Sequence, residues 1–257
     1  MMWRKLRIVI LLFVLATVAQ QAWLSDRDLD WGDNLYVALY PVNVDGSAKV
    51  AAYIRTLTPQ QFEPLTEYFS AQAQRYGLAV YHPFAIRLGD TVQGNPPLPP
   101  RAASAVQAMW WSLKFRWWAW RHSPAMQVKP KIRLYLLYHD PGKVKALSHS
   151  TALSKGRVGL VNLFGDPAAD EQNMVIVAHE LLHTVGATDK YDLAMNRPLF
   201  PDGYAEPERT PRHPQKLAEL MAGRIPVSES EAEIPQNLQH TVIGPATARE
   251  IQWVKTR

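Results

Sequence analysis

Residues 178–192 read AHELLHTVGATDKYD. Two histidines, His179 and His183, stand four apart, and Glu180 directly follows the first. On a helix, residues four apart share one face, one turn above the other. Both imidazoles can therefore point at one ion. Glu180 lies about 100° round the helix from His179, near enough to approach a water on that ion without replacing it. Neutral imidazole is a common zinc ligand, and a catalytic zinc keeps three protein ligands plus water. The third ligand has to come from elsewhere. Gly186 can take positive φ just past the helix and reverse the chain, which would carry Asp189 back towards the ion. The competing source is a glutamate on a later helix. Glu219 is the best candidate, because Glu206 and Glu208 sit among prolines. The bland reading is a surface helix capped by Gly186, with Asp189 in a solvated turn. An isolated HExxH arises by chance in about one chain in a hundred of this length, so it is a hypothesis and not proof. The other histidines, at 82, 122, 139, 149, 213 and 240, have no comparable pairing and read as structural.

The run HELLHTVGATD resembles the extended zinc motif of the metzincin metallopeptidases, HExxHxxGxxH, with aspartate in place of the third histidine. The aspartate form with a tyrosine two residues on, here Asp189 and Tyr191, is similar to the snapalysin-like secreted peptidases. The resemblance implies one Zn²⁺ on His179, His183 and Asp189, with Glu180 as general base. It implies an α+β fold, with a mixed β-sheet and packed helices that include the zinc-binding helix. A smaller irregular C-terminal subdomain would carry a Met-turn and a final helix. Met221, in LAELMAGRIP, is the counterpart of the Met-turn methionine. Gly223 occupies the place where some metzincins carry a tyrosine, so Tyr191 or Tyr204 would have to serve instead. The match is strong over 179–189, suggestive over 215–226 and absent elsewhere.

The elements that position these residues follow from periodicity and punctuation. Residues 35–44 and 131–138 read as strands, and 157–164 as a third that would form the cleft's edge. Residues 49–57 are apolar and ambiguous. Thr58-Pro59 opens a helix that Gly77 ends, with Phe62, Leu65, Phe69 and Ala73 inward. Residues 78–88 read as one or two strands broken at Pro83, and 94–100 as a stiff connector. A helix over 102–121 would bury Val106, Trp110, Leu113, Trp117 and Trp120. That leaves Trp111 and Trp118, beside Lys114, Arg116 and Arg121, for a lipid headgroup surface. The motif helix covers 171–186, a short helix 215–222, and a capping box of Thr247 and Glu250 starts the last helix.

Arg4, Lys5 and Arg7 precede the apolar run IVILLFVLATVA at 8–19. This reads as a signal peptide or N-terminal membrane anchor over residues 1–24, possible membrane contact running through residues 8–24. The remainder, 25–257, reads as one exported domain, periplasmic or extracellular, with subdomains meeting near 187. The formal charge is +5, and removing those three cations leaves +2, no nucleic-acid-binding excess. With no cysteine, disulfides, thiolate metal sites and cysteine nucleophiles are excluded. The function expected is zinc-dependent hydrolysis of a protein or peptide outside the cytoplasm. The alternative is a membrane-tethered binding protein that retains a non-catalytic zinc.

Overall fold

Near-continuous apolar runs along three long strands build a sheet with two buried faces. The computed structural model describes residues 29–100 and 103–254, together with residues 3, 7, 8 and 12. Apart from those four, the segment read as signal or anchor lies outside the described residues. Among the described residues, no helix is long and apolar enough to cross a membrane.

In chain order the main elements are β1 (Leu35–Asn43), α1 (Ala48–Thr56), α2 (Glu63–Arg75), β2 (Phe84–Leu88) and α3 (Ala105–His122). Then follow β3 (Ile132–His139), β4 (Thr151–Leu153), β5 (Val158–Phe164), α4 (Asp170–Thr184) and α5 (Pro245–Glu250). The sheet order is β2-β1-β3-β5-β4. β1 pairs in parallel with β2 and β3, and β3 with β5, whereas β4 runs antiparallel on β5. The class is α+β with a mixed central sheet. β4, and not the strand at 157–164, forms the edge: β5 is interior, with β3 and β4 on its two sides.

Successive strand residues point to opposite faces. Leu39 stands opposite Leu134 and Tyr40 opposite Tyr135. The leucine face joins α1, α2, α4 and the C-terminal turns in one core that includes both Trp31 and Trp253. The tyrosine face is covered by α3, through Trp111, Phe115, Trp118 and Ala119.

That contact reverses the expected orientation of α3. Val106, Trp110, Leu113, Trp117 and Trp120 face outward, and Trp111 and Trp118 are the buried pair. Both sides of the helix are apolar, so spacing could not choose between them. The sheet makes the choice. Tyr135 presents its ring to Trp118 edge-on at 5.0 Å between centroids, and Phe115 stacks on Trp111 at 5.5 Å. The Trp111 indole N–H donates to the Pro97 carbonyl (2.8 Å), tying the proline-rich connector to the helix. We expect Trp111→Ala to cost about 3–5 kcal/mol, as buried aromatic truncations do. Trp110→Ala should change stability by less than about 0.5 kcal/mol. Urea melts of the two variants check this, and equal losses would reverse the helix again.

The ambiguous run 49–57 is helical as α1, and 78–88 forms one strand, Phe84–Leu88, directly after Pro83. Two smaller corrections share one cause, in that side chains found partners distant in sequence. The 215–222 stretch is a two-residue strand, Ala218–Glu219, followed by a 3-10 turn, Leu220–Ala222. Thr247 and Glu250 form no capping box. α5 starts after Gly244, with Thr247 fully buried inside it. The Thr58 cap is observed, in a box with Gln61, and α3 opens later than its expected start at 102, on a box of Ser104 and Gln107 that was not anticipated.

Candidate metal centre

α4 enters the site as a buried helix. Val175, Val177, Ala178, Leu181 and Leu182 join the leucine-face core, and His179 and Glu180 line a cleft, with His183 one turn beyond His179. The helix stops at Val185. Gly186 has φ +104°, its N–H donates to the His183 carbonyl (3.2 Å), and Ala187 N–H donates to Leu182 (3.1 Å). This paired closure is the Schellman stop, which favours glycine at that position. The chain then reverses, and Asp189 returns to the histidines.

The geometry of the three side chains is close. Asp189 Oδ1 lies 3.2 Å from Nε2 of both His179 and His183, and the two Nε2 atoms are 3.0 Å apart. Both Nδ1 atoms face carbonyls, His179 that of Leu220 (2.9 Å) and His183 that of Ala187 (2.8 Å). A carbonyl only accepts, so each Nδ1 carries the proton, and in the neutral rings each Nε2 presents a lone pair. Two imidazole nitrogens and a carboxylate oxygen thus converge on one point. Such a cluster repels itself unless a proton or a metal cation is shared at its centre. Two atoms about 2.0 Å from a common centre at a tetrahedral angle lie about 3.3 Å apart, close to the separations observed here. The donor set fits a zinc-like dication.

Glu180 completes the cluster differently. Its carboxylate lies within 4.8 Å of ligand atoms of both histidines, yet its side chain is buried and Oε2 has no hydrogen-bond partner. Burial pushes its pKa up, against the pull of His179 and His183. Of the two carboxylates, Asp189 brings Oδ1 to 3.2 Å from both Nε2 atoms, whereas Glu180 lies within 4.8 Å of the histidines' ligand atoms. Burial would also raise Asp189, but contact with the two imidazoles holds it well below the usual carboxylate range. For His179, burial lowers the pKa, and Asp189, Glu180 and the Leu220 carbonyl together outweigh it and raise it. The Tyr191 phenol is pushed up to about 12, first by burial and then by the charges of Asp189 and Glu180. It therefore stays a proton donor beside the cluster.

Glu219 is excluded as the third ligand by its own bonds. Oε2 accepts from the N–H groups of Met221 (2.7 Å) and Ala222 (3.1 Å). Oε1 accepts from Gly244 N–H (3.0 Å) and the Thr247 hydroxyl (2.7 Å). Its residue is wholly buried. These bonds shape the turn that holds Met221 in the core and aims the Leu220 carbonyl at His179.

A second clamp holds the other side. Lys190 N–H donates to the Met221 carbonyl (2.9 Å), and its Nζ reaches Glu250 Oε2 (2.7 Å) and the Thr188 carbonyl (2.9 Å). Thr188 N–H and hydroxyl also donate to Glu250. Asp189 is thus fixed by both its neighbours. Burial raises the Glu250 pKa, but Lys190 and Thr188 outweigh it and bring the net value below the ordinary 4.5. A carboxylate lowered on folding contributes stability above its unfolded pKa, and loses it as pH falls through the lower folded value. Glu250→Gln should therefore melt at a lower temperature than the parent near pH 7. The gap should close on acidification below about pH 4. A gap independent of pH would show that the clamp does not depend on this charge.

The cleft beside the cluster holds about 590 Å³. Its walls include His149, Asn162, Tyr191, Arg224 and Ile234. Sequence reading passed over His149 and Asn162, and no spacing signal marked them. Asn162 Nδ2 holds the His149 carbonyl (3.1 Å), while its Oδ1 meets His139 Nε2 (2.8 Å). A scan against protein-family models and a search of curated proteins find no match to this chain.

Proposed function

We propose that this chain is a zinc-dependent peptidase of metzincin-like fold, with Zn²⁺ on His179, His183 and Asp189. The observation that carries the reading is the convergence of three lone-pair atoms within 3.2 Å, beside a buried carboxylate oxygen without a partner. Zinc bound there supplies Lewis-acid polarisation of a carbonyl and acidifies water. Glu180 takes a proton from water in the cleft and delivers it to the leaving amine. A carboxylate whose pKa burial has raised is suited to both halves of that transfer. Tyr191 stays protonated and donates a hydrogen bond within the cluster. His149, at the cleft wall, is a further donor for a substrate carbonyl.

The substrate is an extended peptide. β4 pairs only on its β5 side among the named strands, so its other edge offers backbone groups for strand addition. The site of action is outside the cytoplasmic membrane, following from the export reading of residues 1–24.

The test is the metal content of the purified full chain, by elemental analysis without added metal, followed by peptide hydrolysis with and without chelator. About one zinc per chain and chelator-sensitive hydrolysis is the expected result. Zinc without hydrolysis would favour a tethered binding protein. No zinc, even on titration at neutral pH, would return the motif to a capped helix.

A further inference from the structure

α3 is apolar on two sides, and only one is covered. At 100° per residue, Val106, Met109, Trp110, Leu113, Trp117 and Trp120 fall within an arc of about 100°, over a length of about 21 Å. All six are exposed, Trp110 at 70% and Trp120 at 71%. A helix apolar all round normally has both sides out of water. Lys114 and Arg121 border this arc on one side and Arg116 on the other. Between Asp90 and Asp140 the chain has seven basic residues, at 101, 114, 116, 121, 129, 131 and 133, and no acidic one.

We propose that this face of α3 lies on an anionic lipid surface, with its tryptophans at headgroup depth. Indole is amphipathic and collects at that depth, and flanking Lys and Arg meet anionic headgroups. A second copy fits poorly, because face-to-face packing would set Lys114 and Arg121 against like charges on a helix that carries no acidic residue. The topology agrees. α3 covers the tyrosine face of the sheet, and α4 with the metal-centre histidines lies against the leucine face. A domain resting on α3 holds the cleft away from the bilayer and open to soluble chains. The proposal stands whether or not the cleft hydrolyses peptides.

The chain has no cysteine, so one introduced cysteine reports one position. Leu113→Cys and, on α2 against the other sheet face, Glu67→Cys each take an environment-sensitive fluorophore in the full chain. Each is bound to phosphatidylcholine vesicles carrying a nitroxide lipid, with and without about one third phosphatidylglycerol. The local reading matters because residues 8–24 can tether the chain by themselves. The expected result is loss of most of the fluorescence at 113 and almost none at 67. The loss should be larger with phosphatidylglycerol, and Lys114→Glu with Arg121→Glu should remove that increment. A label at 113 that stays water-accessible on vesicles overturns the proposal. So does a label shielded from both water-borne and lipid-borne quenchers, which means protein covers the face. Crosslinking of unlabelled Leu113→Cys to a dimer would then identify a second copy, and its absence the chain's own N-terminal residues.

Discussion

Glu180→Gln is expected to keep about one zinc per chain and to lower peptide hydrolysis by about 10²–10⁴-fold, the usual contribution of general acid–base catalysis. Glutamine nearly matches the volume of glutamate, so the buried site keeps its shape. What it loses is the ability to take a proton. The parent residue is 6% exposed, and one of its oxygens has no partner among the described residues. A buried polar atom without a partner costs about 1–3 kcal/mol, and a purely structural site gains nothing from that. The same substitution should therefore leave stability unchanged or raise it. Elemental analysis, a urea melt and a peptide assay on one preparation separate these effects. Hydrolysis at the parent rate with zinc retained would rule out Glu180 as the base. Loss of zinc together with activity would instead make Glu180 a ligand.

The local part of this site was legible in the sequence, because helical spacing alone places His179, Glu180 and His183. The stop at Gly186 was equally legible, since it needs only the backbone freedom of glycine. The return of Asp189 was a matter of direction. The contact that flanks it joins Lys190 and Glu250, which are 60 residues apart and carry no joint signature. Glu219 and Thr247 were misread for a related reason. A glutamate two residues before a methionine looks like a free carboxylate, and a Thr-x-x-Glu looks like a cap, until each finds its distant partner. Orientation of α3 failed on different grounds. Periodicity reports that a face is apolar, and it cannot rank two apolar faces. The rank came from the tyrosines of β1 and β3.

Glu219→Ala is expected to be the most damaging single change near the site, though Glu219 touches no ligand atom. The carboxylate receives four donors, three of them backbone N–H groups that no side-chain rearrangement can supply. Each orphaned donor costs about 1–3 kcal/mol when buried. The effects are not additive, but a loss of about 3–5 kcal/mol is a large share of a stability of about 5–15 kcal/mol. Alanine can therefore unfold the domain without revealing anything about metal. Glu219→Gln resolves the two roles. It keeps the volume and one acceptor oxygen, so the fold should survive with a lower melting temperature. Its amide N–H₂ must face either the Met221 and Ala222 N–H groups or the Gly244 N–H and Thr247 hydroxyl. Turning away from Met221 and Ala222 loosens the turn that aims the Leu220 carbonyl at His179 Nδ1. Outer partners of metal-bound histidines contribute about 10–100-fold in affinity, and a loss of that size is the expected reading from zinc competition with a chelator. Unchanged zinc affinity in a folded Glu219→Gln would mean that the Leu220 carbonyl is held by the core around Met221 alone. Glu219 would then serve the fold and not the metal.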